Sequence, residues 1–118
     1  AGGIIIVVTP CYEGVAKTHC DILEVTPRSS SEIRNMVSAG QLHDEVAAAL
    51  AIAWAQVKER ETVYIVSDGI CAEEAARLGF KHFATAQAAL DAALAEKGGG
   101  ARVTVLTHAP DMLPVIRK

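Results

Sequence analysis

The side chains best equipped for proton transfer, metal binding or nucleophilic attack in this 118-residue chain are four histidines and three cysteines. They are His19, His43, His82 and His108, with Cys11, Cys20 and Cys71. Their spacing is not that of a metal site, because neither an H-E-x-x-H pair nor a C-x-x-C pair occurs. No nucleophile triad and no pair of catalytic carboxylates emerges either. Phosphate chemistry loses its main supports in the same way. No G-x-G-x-x-G follows the opening apolar run, and no G-x-x-x-x-G-K-[ST] occurs anywhere. Pro10 and Tyr12 occupy the turn where close approach of a phosphate would want glycine.

Position then decides which single residues merit interest. His108 stands in a loop expected at the carboxyl end of a strand, where acid/base or substrate-binding roles are physically reasonable. His43 stands beside Gln41 at the start of a long helix, where side-chain donors and the helix N-terminus together suit an anion. The same position suits a bland role, with His43 and Asp44 only capping the helix. Asp68 fits a cap for the helix that follows it. Cys11 has no evident cationic neighbour and reads as an inert thiol. His82 reads as solvated on an edge strand, and Trp54 as core or interface.

The elements that would position these residues follow from apolar periodicity. Val63–Val66 runs straight into Ser67-Asp68-Gly69, as a strand buried on both faces does when it ends in a carboxyl-end loop. In open α/β sheets such loops are where ligands sit. Ile4–Thr9, stopped by Pro10, reads as a second buried parallel strand. Phe80–Phe83 is a brief strand, and Ala101–Leu106 a final one. Val15–Val25 is a short helix or irregular segment. Ser29 and Glu32 have capping-box spacing, and Gly40 can close that helix in the left-handed conformation. Leu42, Val46, Leu50, Trp54 and Val57 recur along one face of a long helix, about Leu42 to Arg60. Cys71–Leu78 ends at Gly79, and Thr85 caps a helix with Ala89, Leu90, Ala93 and Leu94 on one face. Gly98-Gly99-Gly100 stops that helix, and Met112–Ile116 is a last apolar stretch interrupted by Pro114. Helices between successive strands imply an α/β fold of three layers. It is a mostly parallel sheet of about four strands with helices on both faces, Rossmann- or flavodoxin-like.

Bulk composition limits the function classes. Residues 1–118 suit one domain. Half of them are hydrophobic (51%) but only 4% are aromatic, so Ala, Val, Ile and Leu must build the core. A net charge of -3 with interspersed signs offers no basic stripe for nucleic acid. No apolar run approaches the ~18 residues of a membrane span. An odd cysteine count without pairing argues for a reducing cytoplasm. The missing initiator Met and the abrupt Ala1-Gly2-Gly3 start suggest an excised domain of a longer protein, with a tag remnant at its head.

Several stretches together resemble the C-terminal domain of the nickel-dependent lactate racemase family. Gly2–Val8 followed by Cys11-Tyr12-Glu13-Gly14 is similar to that domain's opening. Val63–Gly69, Leu78-Gly79-Phe80, Ala86–Leu94, Ala101–Leu106, Pro110 and Leu113-Pro114 follow in the family's order, so the resemblance covers nearly the whole chain. It implies a 2-hydroxyacid racemase or epimerase, an isomerase that exchanges a hydride at the substrate's α-carbon through a nickel-pincer nucleotide. The family's cofactor lysine, nickel-binding histidine and acid/base histidines belong to an N-terminal catalytic domain, and nothing in this chain matches them. This chain is therefore expected to hold no cofactor and to be inactive alone. It would close over the cleft, with that N-terminal domain and a small 2-hydroxyacid as partners. By resemblance, Gln41 falls near the family's substrate-binding glutamine, and His108 lies in a loop that lines the cleft. The family's lysine one turn after the glutamine falls near Asp44, an opposite charge. That departure points to a substrate other than lactate, or to no activity. The alternatives are a free-standing small-ligand or partner-binding module, and a structural interaction domain using Trp54 and the alanine-rich helices.

Overall fold

Tyr64 is the centre of the molecule, and its two neighbours show why. Val63, Tyr64 and Ile65 are all buried, although successive side chains on a strand point to opposite faces. Both faces of this strand must therefore be covered. In the computed structural model, which describes residues 2–15, 17–112 and 115, it is β2 (Thr62–Val66). It lies between β1 (Ile4–Val8) and β3 (Lys81–Phe83) in a parallel sheet of order β1-β2-β3. Ile6 pairs with Tyr64, and Tyr64 with Lys81.

The helices are α1 (Ile22–Val25), α2 (Ser30–Ser38), α3 (Glu45–Lys58), α4 (Ala72–Arg77) and α5 (Ala86–Lys97). Ile65 packs with Ile70, Ala75 and Leu78, with Trp54 of α3 against them, on one side of the sheet. Tyr64 packs with Ala89 and Ala93 of α5 on the other, beside Ile4, Ile6 and Phe83. Three layers result, as the alternation of strands and helices predicts. Each large apolar side chain buried in this way stabilises the fold by roughly 1.5–3 kcal/mol.

Local chemistry explains the helix ends. Ser29 Oγ accepts from the Glu32 amide, and Glu32 Oε2 accepts from the Ser29 amide at 2.8 Å, so α2 begins with the expected capping box. It ends with Gly40 at φ +68°, where the Gln41 amide reaches back to the Met36 carbonyl at 2.9 Å. Thr85 caps α5 through the Ala88 amide. At the other end of the sheet, Lys58 Nζ donates to the carbonyls of Thr26 (2.9 Å) and Leu78 (2.8 Å), joining the ends of α1, α3 and α4. Burial pushes the pKa of that lysine down.

Four expectations need correction. The cap of α4 is Cys71, whose amide donates to Glu74 Oε2 at 3.0 Å, and Asp68 is exposed in the preceding turn. The face of α3 that meets the core is Ala47, Ala48, Ala51 and Ala55. Val46 and Leu50, expected inside, are 51% and 42% exposed. Small side chains let this helix lie close to its neighbours, with Leu42, Ile52 and Trp54 half-buried against the same core as expected of Leu42 and Trp54. Strand β1 is parallel but not buried, since it stands at the edge of the sheet with Ile5, Val7 and Val8 exposed. Finally, Ala101–Leu106 is not a strand. Val103 and Val105 are 54% and 77% exposed, and the sheet has three strands among the described residues. Three successive glycines just ahead leave the backbone of this stretch without a preferred direction. Leu113, Pro114 and Ile116, in the expected final apolar stretch, lie outside the described residues.

Candidate ligand-contacting cleft

The connection from α3 into β2 is short, so α3 must run back antiparallel to the strands. Its N-terminus therefore lies on the side of the sheet where the strands end. Asp44 caps it, with Oδ1 accepting from the Ala47 amide at 2.9 Å. The other carboxylate oxygen, Oδ2, lies 2.8 Å from His19 Nδ1. His19 ends a short 3₁₀ turn (Lys17–His19) in the segment that leaves β1. One carboxylate thus joins the first loop of the fold to the start of its longest helix.

Around this pair lies a shallow cleft, wide open to solvent and lined by Thr18, His19, Asp21, His43, Asp44, Glu45 and Val46. The Ala47 amide and then the His19 ring hold the Asp44 carboxyl below its ordinary value of 3.8. The carboxylate therefore stays ionised through neutral pH. With Nδ1 engaged by Asp44, the ring of His19 has Nε2 left for exchange with a ligand, the arrangement by which a carboxylate orients an imidazole. His43, exposed on the same cleft, supplies a second imidazole. Two ring nitrogens beside a fixed carboxylate can bind a small polyfunctional acid, or pass a proton to one.

A second feature stands at the ends of β1 and β2. Cys11 has φ +44°, a left-handed conformation that costs a side-chain-bearing residue roughly 1–2 kcal/mol. The surrounding loops pin it there. The Gly69 amide and Ser67 Oγ both donate to the Pro10 carbonyl, at 2.9 and 3.1 Å, and the Gly14 amide donates to the Cys11 carbonyl at 2.8 Å. Only glycine fits at position 69, because a Cβ there would fall 1.7 Å from the Cys11 carbonyl oxygen. His82 joins this arrangement through Nε2, 3.2 Å from the Ser67 carbonyl, and is half-buried where full solvation was expected.

Of the three residues singled out in the sequence, His43 lines the cleft. Gln41 is exposed in the same α2–α3 connection, fixed through its backbone by the end of α2, and is not among the lining residues. His108 is exposed in the unpaired C-terminal stretch, with Nδ1 3.0 Å from Thr107 Oγ1, and is likewise not part of the cleft wall. His19 was missed. Its partner is 25 residues away, and nothing local announces the pair.

Among the described residues no three His, Cys, Asp or Glu side chains are placed to hold a metal ion. No helix among them is long and apolar enough to cross a membrane. Compared with protein-family models, with curated proteins and with solved structures, the chain finds no match in any of the three.

Proposed function

We propose that this chain is the cleft-closing, substrate-contacting domain of a 2-hydroxyacid racemase or epimerase similar to the nickel-dependent lactate racemases. It acts against an N-terminal catalytic domain of the same protein, in the cytoplasm. The nickel-pincer nucleotide belongs to that partner domain, and this chain alone is not a catalyst. One observation carries the reading: His19, His43 and Asp44 converge on a single open cleft. A 2-hydroxyacid presents a carboxylate beside a hydroxyl. Imidazole N–H groups suit the first, and a fixed carboxylate accepts from the second. Asp44, standing near the position of the family's lysine, removes one cation from the site, and the two histidines supply imidazole N–H donors in its place.

The outer face of α3 supports the domain–domain part of the reading. Val46 and Leu50 are exposed one turn apart, and Val46 also lines the cleft. Apolar side chains bordering a polar cleft offer contact area to a partner domain.

Titration of the 118-residue protein with 2-hydroxyacids, followed by NMR of the imidazole protons, tests the proposal. His19 and His43 are expected to shift with a 2-hydroxyacid and much less with acetate. Equal response to both ligands, or none, removes the cleft from consideration.

A further inference from the structure

The free edge of β1 is the least explained surface of this molecule. Edge strands are normally shortened, charged or interrupted to prevent pairing with other chains. Here β1 is Ile-Ile-Ile-Val-Val, without a charge, and Ile5, Val7 and Val8 are 41%, 39% and 62% exposed. Such a continuous β-branched run is the composition of a strand with neighbours on both sides. Among the described residues it has one neighbour, β2.

We propose that this edge is the seat of the chain's own segment Ala101–Leu106, which docks there as a parallel fourth strand to give the order β4-β1-β2-β3. The structure shows the segment undocked. Residues 102–106 are exposed, and their backbone makes no hydrogen bond with the described residues. Their sequence, Arg-Val-Thr-Val-Leu, has the β-branched character and near-alternation of a strand.

Chain direction and handedness select this edge. Helices α3 and α4 lie together on one face and carry the chain from β1 to β2 and from β2 to β3. Helix α5 lies on the opposite face, over Ile4, Ile6 and Tyr64. A right-handed crossover through a helix on that opposite face must travel the other way, back past β2 to the outer side of β1. Seating the segment beside β3 would require a left-handed crossover. Reach is no obstacle. α5 ends at the amino end of the sheet, and Gly98-Gly99-Gly100 spans up to about 10 Å, whereas neighbouring strands lie about 4.8 Å apart.

Docking has a consequence for the ligand-facing end of the fold. A parallel fourth strand delivers Thr107-His108-Ala109-Pro110 to the carboxyl end of the sheet, beside the strained Pro10–Gly14 loop. His108 enters that surface only when the segment is seated. Docking of the segment does not depend on which ligand the domain takes.

Amide hydrogen exchange measured by NMR on the whole chain tests it. The Thr9 amide donates to the Val66 carbonyl, so alternation turns the amides of Ile6 and Val8 outward, to the free edge. Seating of the segment slows exchange of these two amides at least about tenfold relative to unprotected backbone. The double substitution Thr104→Pro/Val105→Pro removes one edge-facing N–H in either register, and it is expected to abolish that protection while leaving the helical circular dichroism unchanged. Unprotected Ile6 and Val8 amides in the unsubstituted protein overturn the proposal, as does protection that survives the double substitution. Protection that grows with protein concentration, with a dimer in sedimentation, overturns it also, because the seated strand is then a second copy's.

Discussion

His19 Nδ1 and Asp44 Oδ2 are 2.8 Å apart, and the same carboxylate caps α3 through the Ala47 amide. Cleft geometry and helix stability are therefore coupled at one side chain. Asp44→Ala removes both contacts and is expected to cost about 1 kcal/mol, the usual cost of a lost cap. Asp44→Asn keeps a capping oxygen and should stay within a few tenths of a kcal/mol of the parent. Urea denaturation of the two variants checks this, and equal losses would show that the cap is not the stabilising contact.

Acid should weaken the fold through a defined set of carboxylates. Asp44 is held below its ordinary value of 3.8, Glu32 and Glu59 below 4.5 by bonds from Ser29 and Ser30, and Glu96 below 4.5 by the Tyr64 hydroxyl. A carboxyl whose pKa is depressed by folding takes up its proton first in the unfolded chain, so folding loses stability as pH falls. The contribution is fully present well above 4.5 and fades as pH drops through and below that range. Urea midpoints at pH 6, 4 and 3 should fall in that order. A midpoint flat between pH 6 and 3 would contradict these contacts.

Glycine 69 is expected to be intolerant. Its missing Cβ would lie 1.7 Å from the Cys11 carbonyl oxygen, so Gly69→Ala must push apart the loops that end β1 and β2. A loss of about 1–3 kcal/mol is expected, as for other forced overpacking. Gly99→Ala, which meets nothing within 4 Å, serves as the control and should be neutral or slightly stabilising. Thermal melts of the two proteins separate the outcomes.

The two faces of α3 make opposite predictions. Ala51 is wholly buried, and Ala51→Leu inserts three carbons into a packed layer, at a cost of about 1–3 kcal/mol. Leu50→Glu, one position earlier, faces solvent and should change stability by less than about 0.5 kcal/mol. If the periodicity of the larger residues marked the core, the ranking would reverse.

Purified 118-residue protein is expected to turn over no 2-hydroxyacid and to retain no nickel. Elemental analysis with a racemisation assay decides this. Stoichiometric nickel together with turnover would place the catalytic machinery in this chain, against the proposed function.

Much of the fold was legible because its signals are local. The Ser29–Glu32 box, the glycines at 40 and 79, the Thr85 cap and the run Val63–Val66 each lie within a few residues, and each forms as expected. Partner choice was less legible. Asp68 and Cys71 both precede α4, and backbone geometry, not side-chain preference, gave the cap to Cys71. On α3 the eye follows Val46 and Leu50, yet close packing rewards the smaller alanines. The cleft was half legible. His43 could be placed at a helix start by spacing, whereas the His19–Asp44 pair exists only because a loop after β1 folds back onto α3.

The alanine face of α3 also says how this molecule can move. Ala47, Ala48, Ala51 and Ala55 carry no rotatable carbon chain, so on this face only Ile52, Trp54 and the side chains of neighbouring elements can adjust by exchanging rotamers. Asp44 bonds both the first turn of α3 and His19, so any approach of the cleft to another domain carries these three together.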